Sequence, residues 1–151
     1  MCLLIETIKI FNGEPQALEY HQKRLNKSYE DVIGNGNTPL LKDVIFCPEE
    51  LKSVVVKCRI TYGLNILKIE YEQYIPRTIK TLKIVNHNSI IYDYKYANRT
   101  EINKLFEQKG DFDDILIIKN NLITDTSICN IVLYDGTKYF TPALPLLKGT
   151  M

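Results

Sequence analysis

Histidine is scarce in this 151-residue chain: His21 and His87 are the whole supply. The four cysteines, Cys2, Cys47, Cys58 and Cys129, are scattered, and no two stand at CxxC spacing. A zinc site needs several such ligands at short intervals, so none is expected. Scattered cysteines in a chain of this length do not describe a disulfide framework either; four free thiols in a reducing compartment are expected. Surplus charge is missing too. Lys and Arg total 19 and Asp and Glu 18, a net charge of +1, which gives no support to a nucleic-acid or membrane-surface role. A local basic pocket for one phosphate stays possible. No apolar run approaches the length of a membrane span, and the short one at the N-terminus meets Glu6 too early for a secretion signal. A soluble, cytoplasmic protein is therefore expected. Glycine-rich phosphate loops of the GxGxxG or Walker type, a GxSxG elbow, internal repeats and low-complexity stretches are all lacking.

What is there is globular: hydrophobic residues make up 45% and charged residues 25%, enough to bury a core. Leu3 to Phe11 reads as a strand and Asn12-Gly13 as a hairpin turn. Leu18, His21, Leu25, Tyr29 and Val32 recur at helical spacing over 18–32, and Gly34-Asn35-Gly36-Asn37 stops the pattern. A second helix is expected near 48–53. Residues 54–62 and the alternating Leu67, Ile69 and Tyr71 read as another hairpin, broken at Gly63. Pro76-Arg77-Thr78 suits a linker. Strands are expected at 80–85 and 89–92, a helix over 97–108 ending before Gly110, and strands at 115–118, 122–124, 130–134 and 139–141. This order describes a mixed α/β (α+β) class.

By spacing alone nothing is catalytic, and Lys95 is one of fifteen lysines. Six short motifs in order change that. They are Glu6-Thr7-Ile8 with Asn12-Gly13; His21-Gln22-Lys23-Arg24-Leu25; Arg59-Ile60-Thr61-Tyr62-Gly63; Lys95-Tyr96-Ala97-Asn98-Arg99; Ile123-Thr124-Asp125-Thr126-Ser127 through Asn130; and Thr141-Pro142 with Leu146-Leu147-Lys148-Gly149-Thr150. With them the chain resembles the class IV aminotransferases, the fold-type IV pyridoxal phosphate enzymes, which include branched-chain and D-amino-acid aminotransferases and aminodeoxychorismate lyase. The Lys95 motif is similar to the K-x-x-N-R of the lyase branch.

The resemblance implies pyridoxal 5′-phosphate as cofactor, held on Lys95 as a Schiff base. A neutral amine is needed to attack the cofactor aldehyde, and the same amine, once released, can shuttle a proton at the substrate α-carbon. Asp125 takes the place where most relatives carry Glu; a carboxylate there pairs with the pyridine nitrogen. Asp is shorter, so a closer approach or a bridging water is expected. Arg24 matches the phosphate-binding arginine, whose fork suits a phosphate dianion. Gly149 and Thr150 match the stretch whose backbone amides receive that phosphate. Arg59 is the candidate for a substrate carboxylate, Tyr62 and Tyr94 could line the pocket but as two of ten tyrosines are read as packing residues, His21 is read as packing or supporting, and Arg99 as structural.

The implied fold is two-lobed: a small N-terminal α/β lobe over residues 1–76 and a partial, larger C-terminal lobe over 77–151. The chain ends at Met151 where relatives continue with an arginine, a helix and further strands, so an incomplete C-terminal lobe is expected. The implied substrates are an amino acid and its keto acid, or aminodeoxychorismate on the route to 4-aminobenzoate and folate. A homodimer is implied, with no nucleic acid and no membrane. A truncated, non-catalytic dimeric relative is the alternative of another class.

Overall fold

The computed structural model describes residues 2–34 and 37–150. The chain divides into two compact units. One comprises Met1–Pro76, Tyr94–Asn98 and Thr150–Met151; the other comprises Arg77–Asp93 and Arg99–Gly149.

The first unit is an antiparallel sheet with a helix on one face. Strand β1 (Leu4–Phe11) is turned by Asn12 and Gly13, both at positive φ, into the two-residue β2 (Glu14–Pro15). β3 (Val56–Tyr62) and β4 (Ile66–Gln73) complete the order β2-β1-β3-β4. Leu4, Glu6, Ile8 and Ile10 stand opposite Tyr62, Ile60, Cys58 and Val56, so one face of the sheet is buried along its length. Helix α1 (Leu18–Ser28) turns His21, Leu25 and Ser28 inward. Its helical pattern runs on, but as a wider π turn over Tyr29–Ile33, in which the Gly34 N–H reaches back to the Tyr29 carbonyl. The Tyr29 ring stacks on Tyr62 at 5.8 Å. Asn35 and Gly36 of the expected stop lie outside the described residues.

Two expectations change here. The helix near 48–53 is a single 3-10 turn, Glu49–Leu51, and a short α2 (Leu41–Val44) precedes it. Leu67 is not a buried alternating residue. The β3–β4 register slips between Thr61 and Tyr62, pairing Tyr62 with Ile66 and Thr61 with Lys68. Leu67 is the extra residue of that bulge and is 60% exposed.

In the second unit, β5 (Leu82–Asn86) lies parallel to β6 (Asp114–Lys119), which pairs antiparallel with β7 (Leu122–Thr126). The crossover carries α3 (Thr100–Glu107), shorter than the 97–108 pattern, with Ile102 and Leu105 buried. Asn120 and Asn121, at φ 51° and 63°, make the tight turn between β6 and β7. Residues 89–92 are not a strand. They have no ladder partner; Ile90 and Tyr92 are buried from an irregular segment whose Ile90 carbonyl accepts the Lys119 ammonium at 2.6 Å. The strands expected at 130–134 and 139–141 contract to β8 (Leu133–Tyr134) and β9 (Tyr139–Phe140) around Asp135-Gly136.

Candidate active site

Lys95 sits in a short segment fastened to the first unit by its main chain. The Ile5 N–H donates to the Lys95 carbonyl and the Ala97 N–H to the Leu3 carbonyl, both at 2.8 Å, and Leu4 opposes Tyr96 in an isolated antiparallel bridge. The Tyr94 hydroxyl adds a side-chain tie, donating to Asp31 Oδ2 at 2.8 Å just beyond α1. Lys27 and Tyr94 together hold the Asp31 carboxyl below the usual range. Lys95 itself is half-buried.

Beside this segment, β1 carries a wholly buried carboxylate. Glu6 occupies the core-facing register of its strand, where an unpaired charge is untenable. Arg24 answers it from α1 with two hydrogen bonds, Nε to Oε1 at 2.8 Å and Nη2 to Oε2 at 2.6 Å. His21 Nδ1 lies 2.6 Å from Oε2. A carboxylate only accepts, so Nδ1 carries the hydrogen. Burial alone would raise the Glu6 carboxyl; the bonds from Arg24 and His21 outweigh it and hold the carboxyl below its ordinary range. On the other side of the ring, His21 Nε2 lies 3.2 Å from Thr150 Oγ1. Arg24 and Thr150 are thus brought to the same cluster, with two of the Arg24 donors committed to Glu6.

Arg59 is not part of that cluster. It pairs with Thr7 and Glu70 in the register adjoining Glu6–Ile60, which turns it to the opposite face of the sheet. That face is polar and charged, with a Lys57–Glu72 ion pair next to it. Tyr62 is wholly buried in the core, and Tyr94 packs against its edge. Cys58 is a core side chain as well; burial pushes its thiol up to about 11, which keeps it protonated at neutral pH.

In the second unit, Asp125 closes β7 and is buried. Burial raises its carboxyl above the ordinary value, against the pull of donors on both oxygens. Asn130 Nδ2 donates to Oδ1 at 2.6 Å, and the Leu147 N–H donates to Oδ2 at 3.1 Å. Gly149 lies two residues beyond Leu147 in irregular, exposed chain. Arg99 donates to the Ser127 carbonyl at 2.5 Å and lies over the Tyr92 ring, a brace for the turn that follows Asp125. Among the described residues, no three His, Cys, Asp or Glu side chains converge in a way that could hold a metal ion, and no helix is long and apolar enough to cross a membrane.

Sequence reasoning passed over Glu6 and Asn130 as functional residues. The signal for Glu6 was available: an acid at the buried parity of a strand, between Leu4 and Ile8, demands a cationic partner. Asn130 had no comparable signal, because one of its two partners, the Leu147 carbonyl, comes from a loop seventeen residues away.

Residues 3–151 match the family model described as amino-transferase class IV. An uncharacterized protein of Haemophilus influenzae is 38% identical over 149 residues, 97% of this chain and 79% of that protein. The crystal structure of a candidate 4-amino-4-deoxychorismate lyase from Haemophilus somnus 129pt superposes with a TM-score of 0.89 at 31% identity, covering 99% of this chain and 80% of that one. A candidate amino-acid aminotransferase from Mesorhizobium loti shares the fold with a TM-score of 0.74 at 18% identity, again over 99% and 80% of the two chains.

Proposed function

Because this chain belongs to the class IV aminotransferase family, we propose that it is a pyridoxal 5′-phosphate-dependent lyase that releases pyruvate from aminodeoxychorismate. The choice of the lyase rests on the 31% identity to the Haemophilus somnus candidate lyase and on the Lys95-to-Arg99 motif. The observation that carries the cofactor is the buried Asp125, a carboxylate that burial makes hard to ionise and that a cationic partner would stabilise. A protonated ring nitrogen is such a partner. The chemistry of the other residues in the ordered motifs suits the same group: an amine at Lys95, a guanidinium at Arg24, a hydroxyl at Thr150 and main chain at Gly149.

When bound, the cofactor supplies an electron sink for negative charge at the amine-bearing carbon of the substrate. Lys95 would hold it through its amine, and the free Lys95 amine would move the proton at that carbon. Asp125 keeps the ring nitrogen protonated. Arg24, Gly149 and Thr150 hold the phosphate, with Glu6 fixing the plane of the Arg24 fork. Arg59, on the other face of the sheet, is the weakest member of the set; it is proposed for a substrate carboxylate. We take the working form to be a cytoplasmic homodimer, and sedimentation of a monomer at micromolar concentration would count against that.

The test is direct. Purified chain given the cofactor gains the visible absorption of a lysine-bound form, Lys95→Ala does not, and the wild type releases pyruvate from aminodeoxychorismate. Absence of the absorption in the wild type refutes the cofactor reading. Absorption without pyruvate release, but with turnover of an amino donor, would make it a transaminase. A second reading, a dimer that binds no cofactor, draws on the Arg24–Glu6 and Asp125–Asn130 pairings, which already satisfy these groups within the chain. It predicts that neither absorption nor turnover is seen.

A further inference from the structure

We propose that Asn130 is a positioning residue, one that locks the Asp125 carboxylate to the segment leading into Gly149. The inference rests on the reading above of Asp125 and Gly149 as cofactor contacts.

The geometry is a closed ring of three hydrogen bonds. One side-chain nitrogen, Asn130 Nδ2, donates both to Asp125 Oδ1 at 2.6 Å and to the Leu147 carbonyl at 2.9 Å. The Leu147 N–H closes the ring on Asp125 Oδ2 at 3.1 Å. A primary amide carries two N–H donors at a fixed angle, and both are used. Serine offers one donor and alanine none. An aspartate at 130 would set a second carboxylate against Asp125.

Asn130 is itself held in place from below. It opposes Asp125 in an isolated antiparallel bridge. The intervening turn is closed by the Thr126 N–H to the Cys129 carbonyl at 2.9 Å and by the Cys129 N–H to Thr126 Oγ1 at 3.0 Å, and Arg99 grips Ser127. The turn that carries Asn130 is thus tied at several points. Two contacts on one cofactor, the carboxylate and the main chain before Gly149, then share a single fixing point. Without it, Asp125 loses one of the donors that offset its burial, and the 145–149 segment loses one of its two side-chain anchors.

The experiment compares the full chain with Asn130→Ala, Asp125→Ala and the double variant. Cofactor binding is measured by equilibrium dialysis with pyridoxal 5′-phosphate, and amide hydrogen exchange at Leu147 is measured without it. Asn130→Ala should weaken binding about tenfold, the scale of one hydrogen bond to a charged group. It should also speed exchange at Leu147. The double variant should bind no more weakly than Asp125→Ala, because both changes break one device. Wild-type affinity in Asn130→Ala, or losses that simply add in the double variant, would overturn the proposal. Where Asn130→Ala does not fold, Asn130→Ser keeps one donor; weakened binding with an unchanged urea midpoint then supports the proposal, and unchanged binding overturns it. A wild-type chain that takes up no cofactor fails differently: it refutes the functional reading, and this inference with it.

Discussion

Arg24 grips Glu6 with two donors, Nε on Oε1 at 2.8 Å and Nη2 on Oε2 at 2.6 Å, across the space between helix α1 and strand β1. Glu6 has no exposure to solvent and the Arg24 side chain only 15%. Helix and sheet are therefore joined by an ion pair set among buried, mostly apolar side chains, and His21 completes it.

Removing the acid should be severe. Glu6→Ala leaves Arg24 and His21 without their shared acceptor, and breaking such a pair costs about 3 kcal/mol. Urea unfolding of the two proteins measures it. A loss below about 1 kcal/mol would mean that water replaces the carboxylate.

The same pair predicts a response to acid. Its folded carboxyl is held below the ordinary glutamate value of 4.5. A depressed carboxyl contributes stability above its unfolded pKa and loses it as pH falls through the folded one. Wild type should therefore lose stability on acidification below 4.5 more steeply than Glu6→Gln. Urea midpoints across that range test this, and parallel curves would contradict it.

Asp125 should behave in the opposite sense. Its carboxyl is raised above the ordinary 3.8, chiefly by burial. A raised carboxyl contributes stability below its unfolded pKa, and that stability is lost as pH rises through the folded one. Relative to Asp125→Asn, the cofactor-free wild type should gain stability as pH is lowered from neutral toward 3.8. A difference independent of pH would show that the group titrates normally.

The β3–β4 bulge sorts two apolar residues in one hairpin. Leu67→Lys should change stability by less than about 0.5 kcal/mol, since the side chain already faces water. Ile60→Ala, in the buried row, should cost about 2–5 kcal/mol. Equal losses would mean that the alternating register holds in solution.

The Asn120-Asn121 turn requires positive φ at both positions. Asn121→Gly should be neutral within a few tenths of a kcal/mol, and Asn121→Val should cost about 1–2 kcal/mol. Thermal melts of the two variants give the comparison.

Much of the fold was legible because it follows local rules. The alternation in β3, the Asn-Gly and Asn-Asn turns and the apolar stripe of α1 each carry a period or a dipeptide with its own physical cause. The failures are places where a distant partner decides. Residues 89–92 have strand-forming side chains but nothing to pair with, and Leu67 keeps the alternating pattern while a slip in β3–β4 turns it out. The site divides the same way. Lys95, Arg24 and Asp125 were singled out by ordered motifs, whereas the carboxylate that engages Arg24 and the amide that engages Asp125 are matters of tertiary packing. Glu6 was readable as a misplaced acid on a buried face; Asn130 depended on where Leu147 would come to rest.

The segment carrying Lys95 is tied to β1 through the carbonyl of Lys95, and to Leu3 just before that strand through the amide of Ala97. Main-chain groups are common to every amino acid, so mutation of the neighbouring side chains leaves the lysine's coordinates largely untouched. Its vulnerability is of another kind. Proline at position 5 deletes the amide that meets Lys95, and a one-residue insertion between Leu3 and Ile5 slides the strand by about 3.4 Å. The placement of the amine is thus inherited from the count of residues in a strand ninety positions earlier, and tolerance to substitution there goes with intolerance to insertion.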